Sequence, residues 1–167
     1  MITIALLVLA VCPWIFGNLK VLEIVGLGKA EFITKEEKQK LGEEKKQLQN
    51  EGGNLFDEKK YIFLRHRDED IRLTLAGLRI ALEEQLNLIA QQNQLLTGRG
   101  LRQQVDALWS RKLIESHERT LIYDLTPALN KAVHANVDFK YDNVQFVLEL
   151  GLKLLNSLEG KVKHIGK

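Results

Sequence analysis

The chain has 167 residues, with 24 Lys and Arg against 22 Asp and Glu, for a net charge of +2. So even a balance provides no basic field to gather a polyanion, and nucleic acid is not an expected partner. A single cysteine, Cys12, excludes a disulfide framework, and two prolines among abundant Leu, Glu, Gln and Lys favour helix.

The chain begins with its most distinctive stretch. Met1 to Leu19 carries no charged side chain, and between Ile2 and Phe16 only Thr3 and Pro13 interrupt the aliphatic and aromatic run. As a helix, Ile2–Leu19 would extend about 27 Å, just short of a hydrocarbon core roughly 30 Å thick. Leu22, Ile24 and Val25 extend the apolar path, with Lys20 able to snorkel to the headgroups. A cleaved signal would need a basic start and a small-residue cleavage site, and neither is present. Leu9-Ala10-Val11-Cys12 is a poor lipobox, with Val11 where a small residue belongs. A buried core helix is the remaining alternative. The expectation is therefore a single-pass anchor over residues 1–20 that contacts the lipid bilayer. Lys20, Lys29, Lys35, Lys38 and Lys40 all follow the run and no basic side chain precedes it. The positive-inside rule then puts the N-terminus outside and the rest of the chain in the cytoplasm.

Residues 21–57 are expected to form a juxtamembrane linker. Val21–Val25 looks like a short extended run, closed by Gly26-Leu27-Gly28, with Ala30–Ile33 as its return strand. Thr34 opens a helix with Glu37 three residues later, a capping box. Its only apolar residues are Leu41 and Leu48, which suggests a solvated spacer. Gly52-Gly53-Asn54 ends it. Residues 58–160 are then expected to be a bundle of about four helices. Asp68 or Asp70 caps a long helix with the stripe Ile71, Leu75, Leu78, Leu82, Leu86 and Ile89. A shorter helix carries Leu101, Val105, Leu108 and Trp109. The next is capped by Ser116 and runs through Leu121, Leu125, Ala128, Leu129, Ala132 and Val133, and Pro127 inside it leads to an expected kink or break near Thr126. Asn136-Val137-Asp138 is expected to be a loop. A last helix from Tyr141 to Glu159 would end at Gly160 as its C′ residue, leaving a basic tail over residues 161–167. Short connections between striped helices imply a mainly α, antiparallel helical bundle.

Chemistry is harder to find. No nucleophile has a base and orienting acid at evident spacing, no metal-ligand cluster stands out, and Gly26-Leu27-Gly28 lacks the helix of a phosphate loop. Hence no catalytic residue, metal or cofactor is expected. The candidate cluster is polar: Arg79 and Glu83, four apart on the long helix, and Asn130 and His134, four apart on another. Each pair shares a helix face, so the four residues would form a structural network or a ligand-binding patch between two helices.

Leu78-Arg79-Ile80-Ala81-Leu82-Glu83, the run Leu129–His134 and Val147-Leu148-Glu149-Leu150-Gly151 resemble segments of a known group. Its members are small bacterial single-pass membrane-anchored proteins of unknown function with a C-terminal HEPN-like helical domain (higher eukaryotes and prokaryotes nucleotide-binding). The resemblance covers about Asp68 to Glu159. It implies a helical domain at the bacterial inner membrane and is compatible with a homodimer. Active ribonucleases of that class place an Arg four to six residues before a His, often with Asn following the Arg. Asn130 and His134 match, but Leu129 stands at the Arg position. A phosphate-holding guanidinium is thereby lost, which implies a non-catalytic interaction or scaffold domain with a protein partner. The alternatives it leaves are a HEPN-type ribonuclease and a nucleotide-sensing domain in a defence or stress system.

Overall fold

The structure, a computed structural model, describes residues 30–46, 48, 55–95, 100–134 and 137–165. The expected anchor, the Val21–Val25 extended run and the Gly52–Asn54 breaker lie outside the described residues. Among the described residues, no helix is long and apolar enough to cross a membrane.

A mainly α bundle is observed. Its elements are β1 (Ala30–Glu31), α1 (Lys35–Lys45), a 3₁₀ turn (Ile62–His66), α2 (Ile71–Gln92), α3 (Leu101–Ser110), α4 (Ser116–His134), β2 (Val137–Asp138) and α5 (Tyr141–Ile165). Helix α2 is central and packs against α5, α4, α3 and the 3₁₀ turn. Its start follows from one side chain: the Asp70 carboxylate accepts the N–H groups of Arg72 at 2.9 Å and Leu73 at 3.2 Å. Leu75, Leu78, Leu82, Leu86 and Ile89 are buried as their spacing requires. They meet Val144, Val147, Leu148, Leu154, Leu155 and Leu158 of α5. The two helices come close at Gly151, where an added Cβ would stand 2.5 Å from Cδ2 of Leu78. Glycine is there to let α5 approach.

Five local expectations need correction. Helix α1 forms with its capping box: the Glu37 carboxylate accepts the Thr34 N–H at 2.8 Å, and Thr34 Oγ1 accepts the Glu37 N–H at 3.2 Å. It is not a solvated spacer, because Leu41 is only 1% exposed and Leu48 only 6%. Burying Leu41 contributes about 2 kcal/mol, and ion pairs Lys131–Glu37 and Lys40–Asp124 fasten the helix to α4. Second, Ala30–Glu31 pairs in parallel with Val137–Asp138, so the expected loop at 136–138 contains a strand. Val137 is buried there, and Phe32 stacks at 5.2 Å on Phe139. Third, the cap of α4 is reversed. Glu118 reaches back to accept the Glu115 N–H at 2.6 Å, and Ser116 is the first helical residue. Fourth, of the kink or break expected near Thr126, the break does not occur: α4 continues through Pro127. Thr126 Oγ1 donates to the Ile122 carbonyl at 2.6 Å in the turn before the proline. Fifth, α5 continues past Gly160 to Ile165. Lys161 pairs with Glu118 at 3.2 Å and Val162 packs on the core, so the helix has reason to extend.

Candidate functional site

Helix α2, the first turn of α3 and the middle of α4 border an open surface cavity of about 430 Å³. Arg79 comes from α2, Arg102 from α3, and Tyr123, Thr126, Pro127 and Asn130 from α4. The volume falls within the range of small-molecule pockets, about 300–1,000 Å³.

The local sequence explains the polar lining. Residues 123, 126, 127 and 130 recur at helical spacing on α4, one step round from the core stripe of Leu121, Leu125, Ala128 and Leu129. Pro127 brings no N–H to bond the Tyr123 carbonyl one turn earlier. Gly100, the N-cap of α3, has no side chain to satisfy that helix's first N–H groups. Arg79 is half-buried, and its Nε donates to the Glu83 carboxylate at 3.0 Å. Asn130 Oδ1 is shut off from solvent and accepts no hydrogen bond.

A second group braces the cavity wall. Arg119 donates to Asp106 Oδ1 from Nε at 3.0 Å and from a terminal nitrogen at 2.7 Å, and the Tyr123 hydroxyl donates to the same oxygen at 2.6 Å. The Tyr123 hydroxyl and the Arg119 guanidinium together hold the Asp106 carboxyl below its ordinary range. Burial and the Asp106 carboxylate push the Tyr123 phenol upward, so it remains a neutral donor. Arg119 lies 5.3 Å and Arg102 5.4 Å from the centre of the Tyr123 ring, and Arg119 also covers Trp109 at 4.4 Å.

The four expected site residues are only partly brought together. Arg79 and Asn130 line the same cavity, and Glu83 holds Arg79 at its edge. His134, one turn beyond Asn130, is exposed and is not among the residues lining it. Sequence reading missed Arg102, Tyr123, Asp106 and Arg119. They sit on two helices joined by a turn, and no periodic pattern marks a contact between Asp106 and Arg119. It also missed Glu118, which is fully buried and held by the Glu115 N–H, the Ser157 hydroxyl at 2.7 Å and Lys161. Its position three residues after Glu115 was the available signal.

Among the described residues, no three His, Cys, Asp or Glu side chains gather as a metal cage. Compared with protein-family models, curated proteins and solved structures, the chain matches none.

Proposed function

We propose that the chain is a membrane-tethered helical module that acts by binding, holding a cytoplasmic bundle at the bilayer to recruit or position another protein. The observation that carries this reading is the charge asymmetry of the N-terminal region. Met1–Leu19 is uncharged and is followed by Lys20, Lys29, Lys35, Lys38 and Lys40. The bundle is consistent with it: several of its ion pairs brace one helix against another, as in Lys131–Glu37, Lys45–Glu149 and Arg119–Asp106. Such pairs stiffen a surface and activate no nucleophile. The rival reading, a HEPN-type ribonuclease, needs a base beside a phosphate-holding guanidinium. Arg79 and Asn130 share a cavity and His134 lies beyond it, which favours binding.

The test is fractionation of bacteria producing the chain with a C-terminal tag. The tag should remain in the membrane pellet after alkaline carbonate and resist protease added outside intact spheroplasts. Release by carbonate would sink the tether. Cleavage of RNA by the purified full chain, lost in His134→Ala, would replace the binding module with a nuclease.

A further inference from the structure

We infer that the face of α4 and α5 under α1 is a helix-binding groove in which α1 is a placeholder. The partner it fits is an amphipathic helix with apolar side chains where α1 has Lys38 and Lys45. The inference deepens the binding reading, on which it rests, and is independent of the tether.

A helix lying in a groove anchors itself through side chains at i, i+3 or i+4, and i+7. On α1 these positions are Lys38, Leu41 and Lys45. Leu41 is 1% exposed, so the groove has an apolar seat. The two lysines flank that seat against one aromatic ring. Their Nζ atoms stand 5.5 and 5.7 Å from the centre of Phe146 on α5, which is only partly buried. Apolar side chains at both positions would remove more of that ring from water than the lysines do.

Two further features mark α1 as a weak occupant. It has 11 residues, fewer than the roughly 12–15 at which an isolated helix begins to persist, so its helical form depends on docking. Gly42 lies inside it, yet an added Cβ there meets nothing within 4 Å. No close approach requires the glycine, and it lowers the propensity of the helix.

Charges round the seat set the direction and register of the partner. Lys131 of α4 takes Glu37, and Asp124 of α4 takes Lys40. A partner helix running as α1 does therefore carries an acid one residue before its first anchor and a base two residues after it. Glu149 of α5, which would lose Lys45, keeps Lys153 at 3.4 Å.

The test uses the full chain in a neutral detergent and has two arms. Lys38→Leu with Lys45→Leu should slow deuterium exchange of the α1 amides about tenfold or more, with α2 unchanged. Exchange as fast as in the unaltered chain would show that the seat does not select apolar anchors, and would overturn the groove. In the second arm the probe is a labelled synthetic peptide of residues 34–48 carrying the same two replacements. It should bind saturably, and about tenfold or more tightly than the unsubstituted peptide. Leu41→Ser in the chain should strengthen binding by freeing the seat, provided its α2 amides show an intact bundle. If they do not, Glu37→Gln with Lys40→Gln loosens α1 from the surface instead. A substituted peptide that also carries Glu37→Lys should bind the unaltered chain less well than one with Glu37, and the order should reverse in Lys131→Glu. An unreversed order would place the peptide elsewhere, and no saturation with any of these chains would overturn the groove. Failure here would leave carbonate resistance and the absence of RNA cleavage as they are, so the groove can fail without the module.

Discussion

Replacing Glu118 with alanine should be the most damaging single polar substitution in the bundle. The side chain is completely buried, and its carboxylate holds two hydrogen bonds and an ion pair. The bond from the Glu115 N–H is a helix cap, worth about 1 kcal/mol. The Ser157 hydroxyl donates to a charged acceptor at 2.7 Å, which contributes about 1.5–3 kcal/mol. The Lys161 contact adds less to the loss, because that side chain is 25% exposed and can rehydrate once its partner is gone. Glu118→Ala should therefore destabilise by about 3 kcal/mol. For a chain of this size that corresponds to roughly 10 °C in Tm. Glu118→Gln keeps an acceptor for the Glu115 N–H and should lose about half as much. Urea unfolding followed by circular dichroism measures both values. A change within about 0.5 kcal/mol for Glu118→Ala would show that the three contacts merely replace equivalent bonds to water, and the α4–α5 junction would then need another explanation.

Three further outcomes follow from the packing and charges. Gly151→Ala should destabilise by about 1–2 kcal/mol, because the new methyl meets the Leu78 side chain and the better helix propensity of alanine offsets only part of that. Adding Leu78→Val should recover part of the loss if the clash is the cause, and a fully additive double variant would reject it. Lys112→Gly should stabilise by about 0.5–1 kcal/mol, since Lys112 closes α3 in the left-handed region at φ 58 while exposed to solvent; a lower urea midpoint would contradict this. Stability should also fall in acid. Hydrogen bonds from Tyr123 and Arg119 lower Asp106, and the hydrogen bond from Lys45 lowers Glu149. At Glu37 burial pulls upward but is outweighed by the Thr34 N–H and Lys131. A depressed folded-state pKa means the contribution is present above the unfolded value, near 4, and is lost as pH falls through the folded value. Unfolding midpoints should be level from about pH 7 to 5 and then drop, and a midpoint that rose on acidification would reverse the assignment.

The helices were legible because each carries its own stripe. Leu75 to Ile89 on α2 and Val144 to Leu158 on α5 follow the 3.6-residue period, and the period says which face is buried without saying against what. Elements whose burial depends on a distant partner were not legible. Leu41 is a lone leucine in a lysine- and glutamate-rich helix, and only its docking on α4 makes it core. Leu150 and Leu152 lie off the α5 stripe and are just as buried, because α5 is covered on more than one side. Val133 continues the α4 stripe but is 37% exposed near the helix end, where the cover runs out. The candidate site divides in the same way. Arg79 with Glu83 and Asn130 with His134 were readable as i,i+4 pairs, and that geometry survives for the first pair. The meeting of Arg79, Arg102 and Asn130 is set by how three helices cross, which no local spacing encodes.

The attachment of α1 has a kinetic meaning. Its bonds to the bundle span 84 to 105 residues of sequence, from Lys40–Asp124 to Lys38–Asn143, so they form only after the later helices are in place. Leu41 is the one buried residue within the helix, and much of the rest of its hold is charged, with Lys40 62% and Lys131 36% exposed. Such pairs weaken as the Debye length shortens, whereas the α2–α5 seam does not depend on ionic strength. Helix α1 is thus expected to open before the α2–α5 seam. Its amides should exchange with deuterium well before those of α2, and faster still in 1 M salt by a factor of about five. Ionic strength should therefore set how often α1 leaves the bundle, while the α2–α5 seam stays packed.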